Sequence, residues 1–369
     1  MPSKSNENPL ISALDSMSEN HQHTANTIVI AVDAMGGDYA PKEIVKGTID
    51  AISSTNNIQA ILVGEKNQIE SELSKYEIHN LPLTIIPSEG VILEEESPTQ
   101  ALRTKPNSSI AICADLVKKG MANGLVTMGS TGAAMAVSSL IFGMIKGIKR
   151  PAIGGPILGM APNSVLMDLG SNVDCRPSQL VNFGIIGSFF ASQILSIENP
   201  KVGLLSVGSE EGKGNRQVKE ASEALRKTGL NFIGNIEGTD LPSGKADVVI
   251  CDGFVGNIVM KLSESLGDYI SKYVMEKLNG RLSPTEITNL GKEIFNMTNL
   301  VENVGGGPIF GVNGISIVGH GRAKASAVTK AIEMAKRIVT SDFVNRLEKQ
   351  VSYSNQVINT KTTNGQEIN

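Results

Sequence analysis

Short apolar runs alternate with amphipathic stretches of helical period along most of the chain. Ile28–Asp33 is apolar and β-branched until its closing aspartate, and the amphipathic run Glu43-Ile44-Val45-Lys46-Gly47-Thr48-Ile49 follows after Pro41. That order predicts a buried strand, a tight turn and a helix opening at the proline. The same pattern predicts strands over 28–33, 58–63, 83–87, 124–127, 164–168, 202–207, 247–251 and 315–319. Helical spacing is expected over 41–54, 66–76, 106–119, 131–145, 178–197, 214–228, 256–278, 285–298 and 323–346. Ala246-Asp247-Val248-Val249-Ile250-Cys251 is apolar nearly throughout, as strands covered on both faces are. The expected fold is α/β, a doubly wound and mostly parallel sheet. One domain is expected over 27–350, with a helical protrusion at about 256–300. Polar tails, 1–26 and 351–369, are expected to be disordered.

In such a sheet ligands bind at the carboxyl ends of the strands. Nearly every predicted strand here ends in a polar, glycine-rich turn: Asp33–Asp38, Gly129–Ala133, Asp168–Cys175, Gly208–Asn215 and Asp252–Asn257. Each alone is an ordinary β–α turn; on one sheet edge they predict a composite site. Glycine pairs such as Gly36-Gly37 let backbone N–H groups approach an anion, and helix N-termini favour one. Lys213 supplies a point charge and Asn215 a neutral donor. Arg103 can hold a phosphate oxygen pair bidentately, and Ser108 or Ser109 can cap the next helix. Glu94, Glu95 and Glu96 read as a solvated face. His320, at a strand end, fits packing and ligand contact equally. Cys175 offers a nucleophile with His320 as base, but a lone cysteine beside an aspartate is more often buried and inert.

Composition removes other classes. The chain is 40% hydrophobic and 19% charged with net charge −4, which argues against general nucleic-acid binding. Cys113, Cys175 and Cys251 are widely spaced, so neither a disulfide framework nor a zinc site is expected, and a reducing compartment fits. No metal and no cofactor are expected. No apolar run is long enough to span a membrane, and no secretory leader is visible. The Gly208–Lys213 run misses the Walker A spacing, no GxGxxG follows the first strand, and no GxSxG is present.

Seven segments occur together in one order: Asp33–Pro41, Ala101–Ser109, Gly129–Ala133, Asp168–Cys175, Glu210–Asn215, Asp247–Asn257 and Gly306–Gly321. On these, over roughly 28–340, the chain resembles the bacterial acyl-carrier-protein:phosphate acyltransferases of phospholipid synthesis. It departs at Ser130 (asparagine expected), Ser171 (alanine) and Arg322 (serine). The resemblance implies a Rossmann-like fold similar to phosphate acetyltransferases and isopropylmalate dehydrogenase-like proteins. It implies transfer of a long-chain acyl group from acyl carrier protein to inorganic phosphate, giving acyl phosphate. It also implies a homodimer at the inner face of the cell membrane, cytoplasmic and peripherally attached, feeding a membrane glycerol-3-phosphate acyltransferase.

For that reaction Lys213, Asn215, Arg103, Asn172 and Asp174 are the catalytic candidates. Asp33, Gly36, Gly37, Asp38, Lys105, Ser108, Thr131, Gly132, Asn257, Asn313 and His320 are the substrate-binding ones. Lys213 and Arg103 would contact phosphate or the oxyanion; Asn172, Asn215 and Asn257 would donate to phosphate or carbonyl. Asp33, Asp38 and Asp174 would orient these donors. Ile258, Leu262, Leu266, Ile270 and Val274, with Tyr269 and Tyr273, are expected to face a core or a dimer partner. Ile294, Phe295, Met297, Leu300 and Val301 are the expected membrane contact. The rival readings are an acyl-CoA-dependent phosphotransacylase, a non-catalytic acyl- or lipid-binding scaffold, and a nicotinamide-dependent dehydrogenase.

Overall fold

The computed structural model describes residues 27–300 and 304–364, with side chains through residue 357. The expected disorder of residues 1–26 and the membrane role of Val301 lie outside the described residues. In chain order the elements begin β1 (Ile28–Asp33), α1 (Lys42–Ser54), β2 (Ile58–Gly64), α2 (Lys66–Leu73) and β3 (Leu83–Pro87). Next come α3 (Pro98–Thr104), α4 (Ser109–Lys118), β4 (Gly124–Thr127) and α5 (Thr131–Val137), which runs into a π-helical turn, Ser138–Phe142. Then follow β5 (Ala152–Pro156), β6 (Val165–Met167), α6 (Pro177–Ile194), β7 (Val202–Leu205), α7 (Arg216–Leu225) and β8 (Phe232–Ile236). The chain continues through β9 (Val248–Ile250), α8 (Gly253–Leu278), α9 (Pro284–Thr298), β10 (Gly307–Phe310) and β11 (Ser316–Val318). Two helices, α10 (Ala325–Thr340) and α11 (Phe343–Asn364), follow β11.

These elements group into two compact units, one of Met1–Phe142 with Gly314–Val339, the other of Gly143–Asn313 with Thr340–Asn369. In the first unit the strands lie in the order β3-β2-β1-β4-β11, every pair parallel. Ile30, Ala31, Ile61, Leu62, Leu125 and Val126 have no exposed surface, which fits strands covered on both faces. Gly47 of α1 lets α10 close in: a methyl there would come 2.6 Å from Val328 Cβ, and Thr329 Oγ1 donates to the Gly47 carbonyl at 2.9 Å.

The second unit is mixed. β6, β9, β7 and β8 are parallel neighbours, while β5 runs antiparallel between β10 and β6. Phe189, Phe190, Phe310 and Phe343 pack as a ring cluster, with Phe189 and Phe343 centroids 5.1 Å apart.

The α/β expectation holds, and the differences have local causes. β5, β8 and β10 were not expected; Ala-Ile-Gly-Gly-Pro, Phe-Ile-Gly-Asn-Ile and Gly-Pro-Ile-Phe each carry glycine or proline, which read as breakers. The helix expected over 323–346 breaks in two at Ser341-Asp342, where Asp342 takes φ +51°. The disorder expected after Gln350 does not hold as far as Asn364, where α11 ends; residues 365–369 lie outside the described residues. Its Phe343, Leu347, Val351 and Ser354 are buried at helical spacing, a face masked in the sequence by polar neighbours.

The α8–α9 hairpin is inside out. α8 turns Gly256, Met260, Gly267 and Ser271 inward. Ser271 Oγ donates to the Gly291 carbonyl of α9 at 2.8 Å, and a methyl on Gly291 would come 2.5 Å from Met275 Sδ. Small residues let the two helices approach closely, which leaves the large ones outside. Phe254, Ile258, Leu262, Leu266, Tyr269, Ile270 and Tyr273 are all exposed, from 46% to 74%. The core alternative therefore does not hold for Ile258, Leu262, Leu266, Tyr269, Ile270 and Tyr273; Val274, the last of the expected stripe, is half-buried.

Candidate active site

In the first unit the end of β1 is built around Asp33, 2% exposed. Thr127 Oγ1 donates to Asp33 Oδ2 at 2.7 Å, and Met35 N–H to Oδ1 at 3.2 Å. Thr127 Oγ1 in turn accepts from Gly129 N–H at 3.0 Å. Gly36 sits in this knot: a methyl would come 2.7 Å from Asp33 Oδ2 and 2.8 Å from Gly129 N. Burial pushes the Asp33 carboxyl up, against the Ser109 and Thr127 hydroxyls and then the Met35 and Gly36 backbone. Asp38 N–H donates to the Gly321 carbonyl at 2.8 Å. The unit thus brings Asp33, Gly36, Gly37 and Asp38 together with the Gly129 turn and the stretch beside His320. Thr131 and Gly132 open α5 exposed, and Ser130 caps it, accepting from Ala133 N–H at 3.3 Å.

The basic segment behaves differently. Arg103 is exposed in the last turn of α3. Lys105 is turned to its own loop: its Nζ donates to the Val91 carbonyl at 2.9 Å and to Glu96 Oε2 at 2.7 Å. So Glu96 is not merely a solvated face; the Leu93 N–H first and Lys105 second hold its carboxyl below the usual range. Ser108 is buried at the start of α4, and neither its hydroxyl nor that of Ser109 caps the helix.

In the second unit Asp168 has no exposed surface. Its Oδ1 accepts from Ile153, Gly170 and Ser171 N–H at 3.2, 3.3 and 3.2 Å. Its Oδ2 accepts from Asn172 N–H at 2.7 Å and Asn172 Nδ2 at 2.9 Å. Burial raises this carboxyl despite those bonds. Asn172 also donates Nδ2 to the Pro151 carbonyl at 2.8 Å. Both amide hydrogens are engaged within the protein, so Asn172 is not the substrate donor expected from the sequence; it braces the loop. Its carbonyl accepts from Gly253 N–H at 2.7 Å, tying the loop to the start of α8, which Asp252 caps. Asn257, exposed on the first turns of α8, faces Gly170, where a methyl would lie 3.5 Å from its Oδ1. Asp174 is exposed beside them.

Cys175 donates to the Asn172 carbonyl at 3.3 Å, and its thiol is pushed up to about 12 by burial and then by Asp168 and Asp252. A thiol held there is not a nucleophile at neutral pH.

Lys213 stands exposed on the glycine-rich loop before α7, 4.0 Å from Glu210. Asn215 is the helix cap, its Oδ1 accepting from Val218 N–H at 2.9 Å. Asn235 of β8, 8% exposed, donates to the Glu210 and Lys213 carbonyls at 3.2 and 3.3 Å and so holds the loop. Asn313 lies elsewhere, donating to the Met144 carbonyl at 2.9 Å.

Thr127, Asp168 and Asn235 build the site without standing among the candidates expected from the sequence. Asp168 carries a legible signal, since it closes an apolar strand as Asp33 does. Asn235 carries none, because its strand is interrupted by Gly234. Among the described residues there is no group of three or more His, Cys, Asp or Glu side chains that could hold a metal, and no helix is long and apolar enough to cross a membrane.

The family model described as fatty acid synthesis protein matches residues 28–346. The phosphate acyltransferase of Desulfitobacterium hafniense (strain DSM 10664 / DCB-2) is 44% identical over 331 residues, covering 87% of this chain and 97% of that protein. The phosphate acyltransferase of Lawsonia intracellularis is 43% identical over 316 residues, covering 84% of this chain and 91% of its own. Among solved structures, a phosphotransacetylase from Streptococcus pyogenes superposes with a TM-score of 0.57 at 17% identity, over 89% of this chain and 99% of that one. A branched-chain phosphotransacylase from Enterococcus faecalis gives 0.54 at 15% identity, over 85% and 99%. At those identities the likeness concerns the fold.

Proposed function

Since the chain belongs to the fatty acid synthesis protein family and is a phosphate acyltransferase, we propose that its acyl donor is a long-chain acyl thioester of acyl carrier protein. A phosphate oxygen attacks the thioester carbonyl carbon; the new C–O bond forms, the C–S bond breaks, and the departing thiolate takes a proton. Thioester and acyl phosphate are both activated acyl donors, so the step runs without nucleotide and in both directions. Phosphate needs no activation as a nucleophile. The protein's task is to position two reactants and to meet the oxyanion with donors.

The observation that supports this reading best is the loop Gly208–Asn215, which presents the exposed Lys213 ammonium at the start of α7, its backbone held by Asn235. In the second unit Lys213 contacts phosphate or the oxyanion and Asn257 donates to the carbonyl; in the first unit the exposed Arg103 is a cation available to phosphate. Asp33 and Asp168 position the glycine turns. Carrier-protein release from palmitoyl-acyl carrier protein, with acyl phosphate trapped by hydroxylamine, is expected to require inorganic phosphate. Lys213→Ala is expected to lower kcat/KM about 10²-fold. Unchanged turnover would remove Lys213 from the site, while turnover with acyl-CoA alone would make the protein a phosphotransacylase.

Two further parts of the reading concern assembly and place. The outward stripe of α8 fits a second copy of the chain. Peripheral attachment to the inner face of the cell membrane fits Met297, 46% exposed, with half-buried Ile294, Phe295 and Leu300 beside it. There the acyl phosphate, apolar in its chain, passes to a membrane glycerol-3-phosphate acyltransferase. Met297→Asp is expected to reduce flotation with liposomes; flotation unaltered by that change and by Phe295→Asp would refute the attachment.

A further inference from the structure

Acidic and basic residues are unevenly divided in the second unit. Between Gly143 and Ile197 the sequence holds only two acids, Asp168 and Asp174, and Asp168 is fully buried. Over the same stretch Lys146, Lys149, Arg150 and Arg176 are all exposed. None of these four forms an ion pair among the described residues. In a chain of net charge −4 this stretch therefore exposes four cations against one exposed acid of its own, Asp174, with Asp252 of the α8 start also near Cys175.

Three contacts gather the four cations on that surface. Asn182 of α6 donates Nδ2 to the Gly147 carbonyl at 3.4 Å, seating the 146–150 loop against the helix. Asn172 donates to the Pro151 carbonyl, the residue after Arg150, at 2.8 Å. Cys175, which precedes Arg176 at the start of α6, donates to the Asn172 carbonyl at 3.3 Å. The basic surface thus surrounds the Asp168–Asn172 loop at the strand ends. Val173, 65% exposed, lies within it.

We propose that the surface formed by Lys146, Lys149, Arg150 and Arg176 docks the acidic carrier protein that delivers the acyl thioester. The inference rests on the reaction proposed above. In a protein of net negative charge, a local cluster of cations without ion-pair partners next to the site steers and orients the encounter with an acidic partner. Because all four are exposed, their effect is on association and is screened by salt.

The test is the pair Lys146→Glu/Lys149→Glu, assayed with palmitoyl-acyl carrier protein and, in parallel, with a neutral small thioester, octanoyl-N-acetylcysteamine. The KM for the carrier-protein substrate is expected to rise about tenfold and to lose its dependence on ionic strength. The kinetics with the small thioester are expected to stay unchanged, which also verifies that the variant folds. An unchanged carrier-protein KM, or an equal rise for both thioesters, would overturn the docking surface. An unchanged carrier-protein KM together with lost sedimentation on phosphatidylglycerol vesicles would assign the patch to a membrane instead. Absence of phosphate-dependent carrier-protein release by the unaltered enzyme would overturn the reaction reading, and the docking surface with it.

Discussion

Asp168→Ala is expected to cost on the order of 4 kcal/mol of stability and to lower acyl transfer by about 10²-fold or more. The carboxylate is the common acceptor for five N–H bonds from Ile153, Gly170, Ser171 and Asn172. Alanine leaves those donors buried without an acceptor, and each orphaned donor costs about 1–3 kcal/mol, less where the loop can relax. Relaxation would move the Gly170 turn away from Asn257, so activity falls with stability. Asp168→Asn separates the two effects. Its oxygen can still serve the three donors on one side, but its NH2 then meets the N–H and Nδ2 of Asn172, donor against donor. Chemical denaturation is expected to place the asparagine variant between wild type and alanine. Equal midpoints for wild type and alanine would show that the loop does not depend on the carboxylate.

The pH dependence of the same group has a definite sign. Burial raises its pKa in the folded protein above the ordinary 3.8. The folded state therefore holds the proton more tightly than the unfolded chain. Its contribution is fully present below the ordinary carboxylate range and is lost as pH rises through the raised value. Asp168→Ala is expected to remove that segment of the stability profile.

Leu262→Asp is expected to halve the sedimenting mass of the protein. α8 is 26 residues long, about 39 Å at a rise of 1.5 Å per residue. Along that length most of its large apolar and aromatic side chains face outward, while Gly256, Met260, Glu264, Gly267 and Ser271 are turned inward, Ser271 bonding the Gly291 carbonyl of α9. An exposed apolar stripe of this size marks an interaction surface. A helix face that pairs with its own copy about a two-fold axis covers itself at both ends. A carboxylate at the middle of such an interface is left desolvated in both copies. Tyr273→Asp, near the helix end, is expected to act less strongly. Sedimentation velocity reads both; an unaltered monomer mass in the wild type would exclude the pairing.

The sequence showed the strands whose residues are buried on both faces, since these are continuous apolar runs. It hid β5, β8 and β10, whose short apolar content is interrupted by glycine, proline or asparagine. It also hid α11, whose buried face of Phe343, Leu347, Val351 and Ser354 lies among polar neighbours. At the site it marked the loops but not the direction of each side chain. Asn172 and Lys105 are the residue types that bind anions, yet one is locked to Asp168 and Pro151 and the other to Val91 and Glu96. Which way an amide or ammonium turns depends on neighbours distant in sequence, and no spacing rule carries that information.

The first unit is made of two pieces, Met1–Phe142 and Gly314–Val339. Its fifth strand, β11, pairs with β4, and α10 covers α1. A ribosome adding roughly 5–20 residues per second takes on the order of ten to thirty seconds to make the stretch between the pieces. For that interval a nascent chain carries an unclosed edge at β4 and an uncovered α1, in surroundings crowded with other nascent chains. The burden of this architecture falls on biosynthesis: the first piece, Met1–Phe142, must be shielded until Gly314–Val339 emerges.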